Sequence, residues 1–238
     1  MRAGIIAAGC GSRLQPAGAN RDIPKGLVRV AGRPLVDWVL SDLAAAGFSE
    51  AVVIINEAST SIRDHVDRDS PVPVRWLVET TASSMHSFLR VLEELARDGR
   101  DGPFLLTTVD TIAPAGTFRR FLDAASDASS DLVLALTTLI DDEHPLRVSI
   151  ESDAGGPSLV TAVGSGPFAT AGYYLVGRSV LREAAAGRSA DFAALRVFLK
   201  HLFDRGYRIS GIPMPDSVDV DRPADVASAE RILRAGAR

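Results

Sequence analysis

The feature that most constrains this chain is an alternation of two hydrophobic periods. Short, nearly continuous apolar runs at 3–8, 51–55, 74–78, 104–109 and 132–137 are bounded by turn residues, and segments with helical spacing lie between them at 34–46, 60–66, 84–97 and 117–125. An apolar run without in-out alternation suits a strand covered on both faces, as in a parallel sheet flanked by helices. Within 34–46, Leu35, Val39, Leu40 and Leu43 recur at the spacing of one helix face, and Pro34 suits a first turn. The β-α-β-α order predicts an α/β fold with an open sheet. The chain has 238 residues, 46% apolar or aromatic and 24% charged. That is enough for one sizeable core, and it excludes global disorder and collagen-like repeats.

After residue 140 the pattern changes. Strands are expected at 148–150, 159–163, 172–176 and 207–212, helices near 180–186, at 192–204 and from 223 to 233, and loops with a hairpin over 141–157. With no long linker and no repeat, one domain over 1–238 is expected, its halves meeting near residue 140. No window reaches the roughly 18 apolar residues of a membrane span, and the N-terminal apolar run is too short for a signal peptide. One cysteine, Cys10, allows no intramolecular disulfide. A cytoplasmic chain without membrane partners is expected, and a homo-oligomer is compatible with it.

The strongest local signal is Ile5-Ile6-Ala7-Ala8-Gly9-Cys10-Gly11-Ser12-Arg13-Leu14, a buried strand running straight into a glycine turn. Without Cβ atoms, backbone N–H groups there can approach an anion closely. The turn falls at the carboxyl end of the first strand, where open α/β sheets bind ligands. A dinucleotide fingerprint fits poorly, because Leu14 stands at the third glycine position and Pro16 follows. No P-loop exists, since Lys25 is followed by Gly26 and Leu27. A plain tight turn leaves the following cations unexplained. Residues 1–33 carry Arg2, Arg13, Arg21, Lys25, Arg29 and Arg33 against Asp22 alone, a net +5 in a chain whose total is −4. The acidic total argues against nucleic acid as partner, and the basic opening suits a small polyanion. Arg13 can grip phosphate oxygens in a fork and Lys25 can act as a point charge, whereas Arg21 and Arg29 suit a solvated loop.

Ala7-Ala8-Gly9-Cys10-Gly11-Ser12-Arg13-Leu14, then Pro24-Lys25-Gly26-Leu27, then Gly32-Arg33-Pro34-Leu35 together resemble the signature of the nucleotidyltransferases. That family includes sugar-1-phosphate nucleotidylyltransferases, phosphocholine and inositol-phosphate cytidylyltransferases, and molybdenum-cofactor guanylyltransferases. The resemblance implies a Rossmann-like, mostly parallel sheet of glycosyltransferase-A type. It also implies transfer of a nucleoside monophosphate from an NTP to a phosphorylated acceptor, with release of pyrophosphate. The nucleotide would lie over Ala8, Gly9, Gly11, Ser12 and Arg13, with Arg13 and Lys25 as the catalytic cations. The first half (about 1–140) would bind nucleotide and the second (about 141–238) the acceptor.

Such a reaction brings two anions together, and a divalent cation offsets their repulsion. Mg²⁺ takes oxygen ligands and keeps several waters, so one to three carboxylates suffice; Mn²⁺ can serve in its place. Asp110 ends the strand at 104–109, where the family places a metal-binding aspartate; the usual preceding glycine is Val109 here. Asp110 can equally cap the next turn with Thr111. Asp219 and Asp221 share one face in extended chain, about 7 Å apart. They resemble the family's late acidic run, and either can be the second ligand. Asp221 is alternatively the N-cap of the last helix, and Asp225 suits its first turn.

Glu79, Ala82 and Ser83 stand where the family contacts base and ribose, although hydroxyls there can equally cap a helix. Gly172-Tyr173-Tyr174 resembles a G-x-Y strand that lines the acceptor pocket, which points to Gly172 and Tyr173. The family's E-K-P lysine, which holds the acceptor phosphate, is absent: Ser165-Gly166-Pro167 stands there. Either an arginine such as Arg147 replaces it, or the acceptor is not a common hexose phosphate. The spacing from Arg13 to Lys25 is longer than in sugar-type members and longer still than in the molybdenum-cofactor type. A cytidylyl- or guanylyltransferase for a cofactor or secondary-metabolite phosphate or phosphonate is the runner-up. A nucleotide-binding homologue without turnover is the reading from another class. His65, His86, His144 and His201 form no metal-ligand spacing and suit surface or helix-face positions, His86 being the one with a possible site role. Lys200 suits the polar side of an amphipathic helix, and Asp141-Asp142-Glu143 a solvated loop.

Overall fold

A computed structural model describes residues 1–9, 11–14, 23–97, 99, 102–140, 145–152, 156–189 and 192–236. Cys10, Arg21, Asp22, the run Asp141-Asp142-Glu143 and His144 lie outside them, as does the side chain of Ser12. In chain order the strands are β1 (Arg2–Ile6), β2 (Arg29–Val30), β3 (Arg33–Pro34), β4 (Glu50–Ile55), β5 (Val74–Val78), β6 (Phe104–Thr108), β7 (Thr111–Ile112), β8 (Leu132–Thr137), β9 (Arg147–Ile150), β10 (Ser158–Val163), β11 (Phe168–Val176), β12 (Ile209–Pro213) and β13 (Val218–Asp219). The helices are α1 (Leu35–Ala45), α2 (Ser61–Val66), α3 (Ser84–Ala96), α4 (Thr117–Ala124), α5 (Ala184–Ser189), α6 (Leu195–Asp204) and α7 (Pro223–Gly236). Each expected apolar run forms a strand. The helix expected near 180–186 is instead a 3₁₀ segment, Arg178–Glu183, leading into α5.

Nine strands form one sheet in the order β5-β4-β1-β6-β11-β8-β12-β10-β9. Pairing is parallel through β5-β4-β1-β6 and between β8 and β12. The long strand β11 runs antiparallel between β6 and β8, and β10 pairs antiparallel with both β12 and β9. The mostly parallel sheet suggested by the family resemblance is therefore parallel on its first-half side and mixed beyond β6. The reason is local. Strands β9, β10 and β11 follow one another through short connections rather than helical crossovers, and only a crossover returns the chain in parallel.

Central strands are buried on both faces, which is why their sequences do not alternate; all six residues of β8 are buried. On one face, α3 and α6 cover the sheet through Met85, Phe88, Leu89, Leu92, Phe198 and Leu202. On the other, α1 and α4 cover it through Val36, Val39, Leu40, Phe118 and Phe121. Each such side chain contributes roughly 1.5–3 kcal/mol of burial free energy. A third cluster joins α7 to β2, β7 and β13 through Val30, Ile112, Val218, Val220 and Ala229. It ties the end of the chain to the region just after β6, and that tie positions the site.

Candidate active site

The carboxyl end of β1 is fixed on its way out of the sheet. The Ala7 N–H still donates to the Ile54 carbonyl at 2.9 Å, and Asn56 Nδ2 donates to the Ala8 carbonyl at 2.9 Å. Gly11 then adopts φ +64°, and a Cβ built on it would lie 3.2 Å from Lys25 Cβ. Both the backbone conformation and the closeness of Lys25 call for glycine here. Lys25 itself opens a buried 3₁₀ turn, Lys25–Leu27, packed beneath the glycine turn.

From that turn the Lys25 ammonium donates to Asp110 Oδ2 and to Asp221 Oδ1. Asp110 follows β6 directly, whereas Asp221 comes from 196 residues further along the chain than Lys25. The short ladder between β7 and β13 brings it there. Thr111 pairs with Asp219, Ile112 pairs with Val218, and the Val220 N–H donates to the Asp110 carbonyl at 3.0 Å. Thr111 Oγ1 donates to Asp219 Oδ1 at 2.7 Å, and Arg13 Nη2 lies 3.5 Å from Asp221 Oδ2. One sheet end thus gathers two cations and three carboxylates.

The charges there are strongly perturbed. Burial acts to lower the Lys25 pKa, but the Asp110 and Asp221 carboxylates outweigh it and hold the ammonium above the ordinary lysine value. Burial likewise pushes Asp110 up, and Lys25 reverses that, so Asp110 lies below the usual carboxylate range. Among the described residues the hydrogen bond to Asp219 comes from Thr111 and no ion pair joins it. Burial, with the nearby Asp110 charge, pushes it up to about 7. Among the described residues no three acidic, histidine or cysteine side chains form a ready-made metal cage. Yet Asp110 Oδ1 is buried and accepts no hydrogen bond. A free, buried carboxylate lone pair next to a carboxylate that resists ionisation is a donor set suited to a hard cation completed by water and phosphate oxygens.

Arg13, Asp110, Asp219 and Asp221 border a cleft of about 210 Å³ that crosses the carboxyl ends of β6 and β8, with the first half of β11 between them. A model of the MobA-like NTP transferase domain matches residues 3–201, most of the chain and all of the glycine turn. The chain belongs to the MobA-like NTP transferase family. This MobA-like chain is 26% identical over 250 residues to the bifunctional protein GlmU of Thermobifida fusca, covering 97% of the chain and 50% of that relative. It is 30% identical over 131 residues to CMP-5'-(3-aminopropyl)phosphonate synthase of Streptomyces rubellomurinus, covering 55% of the chain and 20% of that relative. It therefore spans half or less of the length of these two relatives. Among solved structures, the inositol-1-phosphate CTP transferase of T. maritima superposes with a TM-score of 0.77 at 19% identity, over 99% of this chain and 96% of that one. That likeness establishes the fold, which is the helix-flanked nucleotidyltransferase sheet.

Within the MobA-like fold, Arg13, Asp110, Gly172, Asp219 and Asp221 all border the cleft, and Lys25 reaches it through its two carboxylates. Asp221 is not the N-cap of α7. Asp225 takes the capping role, its Oδ2 accepting the N–H groups of Asp221 and Arg222 at 3.0 and 2.7 Å. Other expected residues are engaged elsewhere. Glu79 is exposed and paired with Arg90 at 3.1 Å. Ser83 Oγ donates to the Phe192 carbonyl at 2.9 Å and meets His86 Nδ1, while Ala82 is exposed and outside the cleft lining. Arg147 Nη1 donates to the Gly166 carbonyl at 3.3 Å and does not line the cleft. Tyr173 is fully buried against Phe118 and Phe121 on the α1–α4 face. Tyr174 lines the cleft instead, because alternate strand residues share a face and Gly172 and Tyr174 are alternates. The sequence reading missed Thr111, which orients Asp219, and Arg196, which borders the cleft from the first turn of α6. Thr111 was within reach as the neighbour of Asp110. Arg196 carried no local signal.

Proposed function

We propose that the chain transfers a nucleoside monophosphate from an NTP to a small phosphorylated acceptor, releasing pyrophosphate. The observation that carries this reading is the Lys25 ammonium, buried under the Gly11 turn and held between Asp110 and Asp221. The triphosphate lies over the turn from Ala8 to Arg13, where Arg13 and Lys25 take its oxygens. An acceptor oxygen forms a bond to the α-phosphorus while the bond from that phosphorus to the bridging oxygen breaks, and pyrophosphate leaves with that electron pair. The attacking oxygen is already anionic at neutral pH, so no general base is needed. Lys25 and Arg13 stabilise the charge on the leaving group, and burial of Lys25 strengthens its contact. Asp110 with Asp219 or Asp221 would hold Mg²⁺ or Mn²⁺, which supplies charge neutralisation at the α-phosphate when bound. The net charge of −4 favours small-molecule partners over nucleic acid, and the lone cysteine is compatible with a reducing cytoplasm. No helix among the described residues is long and apolar enough to cross a membrane.

The test is pyrophosphate release from each of the four NTPs with Mg²⁺ and a panel of phosphorylated acceptors. Turnover that is abolished by EDTA and lowered at least ~100-fold in Lys25→Ala and Asp110→Ala is expected. Nucleotide binding without pyrophosphate release from any pair would instead leave a nucleotide-binding module. Normal rates in either variant would remove that residue from the mechanism.

A further inference from the structure

The cations at the cleft hold its carboxylates by particular oxygens. The Lys25 ammonium donates to Asp110 Oδ2 and Asp221 Oδ1, and Arg13 Nη2 lies 3.5 Å from Asp221 Oδ2. Thr111 Oγ1 donates to Asp219 Oδ1 at 2.7 Å, and Asp225 Oδ2 is committed to the backbone of Asp221 and Arg222. The acids suited to a divalent ion thus include the same two that neutralise Lys25. A divalent ion on Asp110 or Asp221 would share a carboxylate with that ammonium. Lys25 is buried, so little water lies between to screen the like charges. Lys25 and a divalent ion therefore compete for one set of oxygens.

A triphosphate changes that balance. Lys25 is anchored by its backbone in the Lys25–Leu27 turn, where its carbonyl accepts the Val28 N–H at 3.1 Å. Its stem starts directly beneath the glycine turn, with Cβ 3.2 Å from the place where a Cβ of Gly11 would stand. A lysine carries its charge on four flexible carbons, so the head can turn from one anion to another while the root stays fixed. Arg13 belongs to the same glycine turn, so both cations that hold Asp221 adjoin a polyanion seated there. Each phosphate contact that Lys25 or Arg13 makes releases a carboxylate oxygen.

Resting on the transferase reading above, we propose that Lys25 is a resident counter-cation that bars divalent ions from Asp110 and Asp221 until a triphosphate draws its ammonium away. The site then takes its substrate as a metal–nucleotide chelate and does not store a free divalent ion. Removing the Lys25 charge has opposite effects on the two ligands: the free ion binds more tightly and the nucleotide more weakly. A lysine that only packed the turn would shift both affinities in one direction.

Electron paramagnetic resonance of unbound Mn²⁺, during titration of the EDTA-dialysed full chain without nucleotide, tests this. Lys25→Met should bind Mn²⁺ at least tenfold more tightly than the wild type, and adding Asp110→Asn should abolish that gain. Lys25→Gln keeps hydrogen-bond donors without the charge; it should also bind tightly, and it is the milder change if Lys25→Met folds poorly. Mn²⁺ should raise the urea midpoint of either variant and move the wild type little, because an ion that binds only the folded form stabilises it by mass action. Each of the four α,β-methylene NTPs with Mg²⁺ is then titrated by calorimetry. The one bound by the wild type should bind Lys25→Met at least tenfold more weakly. Equal or weaker Mn²⁺ binding in the variants, or unchanged nucleotide affinity, overturns the inference and leaves the transferase reading to the pyrophosphate assay. Failure of the wild type to bind any nucleotide sinks that reading, and this inference with it.

Discussion

Replacing Gly172 by alanine separates two costs that the structure assigns to one position. Gly172 has φ +77°, and a Cβ built there would lie 2.0 Å from Thr111 Oγ1 and 3.0 Å from Thr108 Oγ1. Gly32, in the turn between β2 and β3, has the same φ with nothing within 4 Å of its Cβ position. Gly32→Ala therefore carries only left-handed backbone strain, roughly 1–2 kcal/mol. Gly172→Ala carries that strain plus about 1–3 kcal/mol of overpacking. In a chain of this length each kcal/mol moves Tm by about 2–4 °C. Scanning calorimetry should thus show a fall of a few degrees for Gly32→Ala and about 10 °C for Gly172→Ala. The clash also has a direction. The atom that must give way is the Thr111 hydroxyl that donates to Asp219, so pyrophosphate release at 25 °C, where both variants remain folded, should fall at least ~10-fold in Gly172→Ala alone. Equal Tm losses in the two variants, or wild-type turnover in Gly172→Ala, would refute the link from β11 through Thr111 to the carboxylates.

Three further changes have definite expectations. Lys25→Met leaves Asp110 and Asp221 without their ammonium, and breaking such a pair costs about 3 kcal/mol in urea unfolding; adding Asp110→Asn should recover much of it without restoring turnover. The Tyr173 hydroxyl is buried with no hydrogen-bond partner, so Tyr173→Phe should raise the unfolding free energy by about 1 kcal/mol and leave the acceptor KM unchanged. A raised KM would return Tyr173 to the acceptor pocket. The hydrogen bond from His201 is the main cause that holds Glu183 below the usual carboxylate range; burial opposes it and the Tyr207 hydroxyl adds to it. A depressed folded-state pKa contributes stability above the unfolded value near 4.3, lost as pH falls through the folded value. Glu183→Gln should therefore lower the urea midpoint at pH 7, and the gap to the wild type should narrow as the pH falls below about 4.3.

What the sequence made legible follows the range of the forces involved. The strands were readable because double-sided burial writes itself into consecutive residues, as in Leu132–Thr137. The glycine turn was readable because backbone geometry at Gly11 leaves no other choice of residue. The helix expected near 180–186 holds only from Ala184 on, because the propensity of Val180 and Leu181 does not reveal that the Val180 N–H bonds to the Gly177 carbonyl, which winds Arg178–Glu183 tighter. Tyr173 was a different kind of miss. The strand period alone pairs Gly172 with Tyr174, so the information was present and the wrong neighbour carried the expectation.

The arginines mark the limit of such reading. The chain has 24 of them, and an exposed arginine looks the same in sequence whether it faces a ligand or bulk water. Arg147 is only one arginine that could replace the missing E-K-P lysine, and nothing in the sequence tells where it points. In the fold, β9 pairs with the start of β11 and directs Arg147 to the Gly166 carbonyl. Arg196 reaches the cleft through two contacts between segments more than 100 residues apart, Ser83 with Phe192 and Ser84 with Leu195. Neither contact has a local signature, because a serine at the start of a helix more often caps its own turn. Here both hydroxyls serve another segment, and Ser83 makes no cap bond to α3. Ser83, expected as a base contact or a cap, and its neighbour Ser84 are thus what fixes the start of α6 and with it Arg196 at the cleft. A Ser84→Ala variant leaves the Leu195 N–H without this acceptor, so a loss of about 1 kcal/mol in urea unfolding is the expected consequence; an unchanged midpoint would show that α6 packing alone places Arg196.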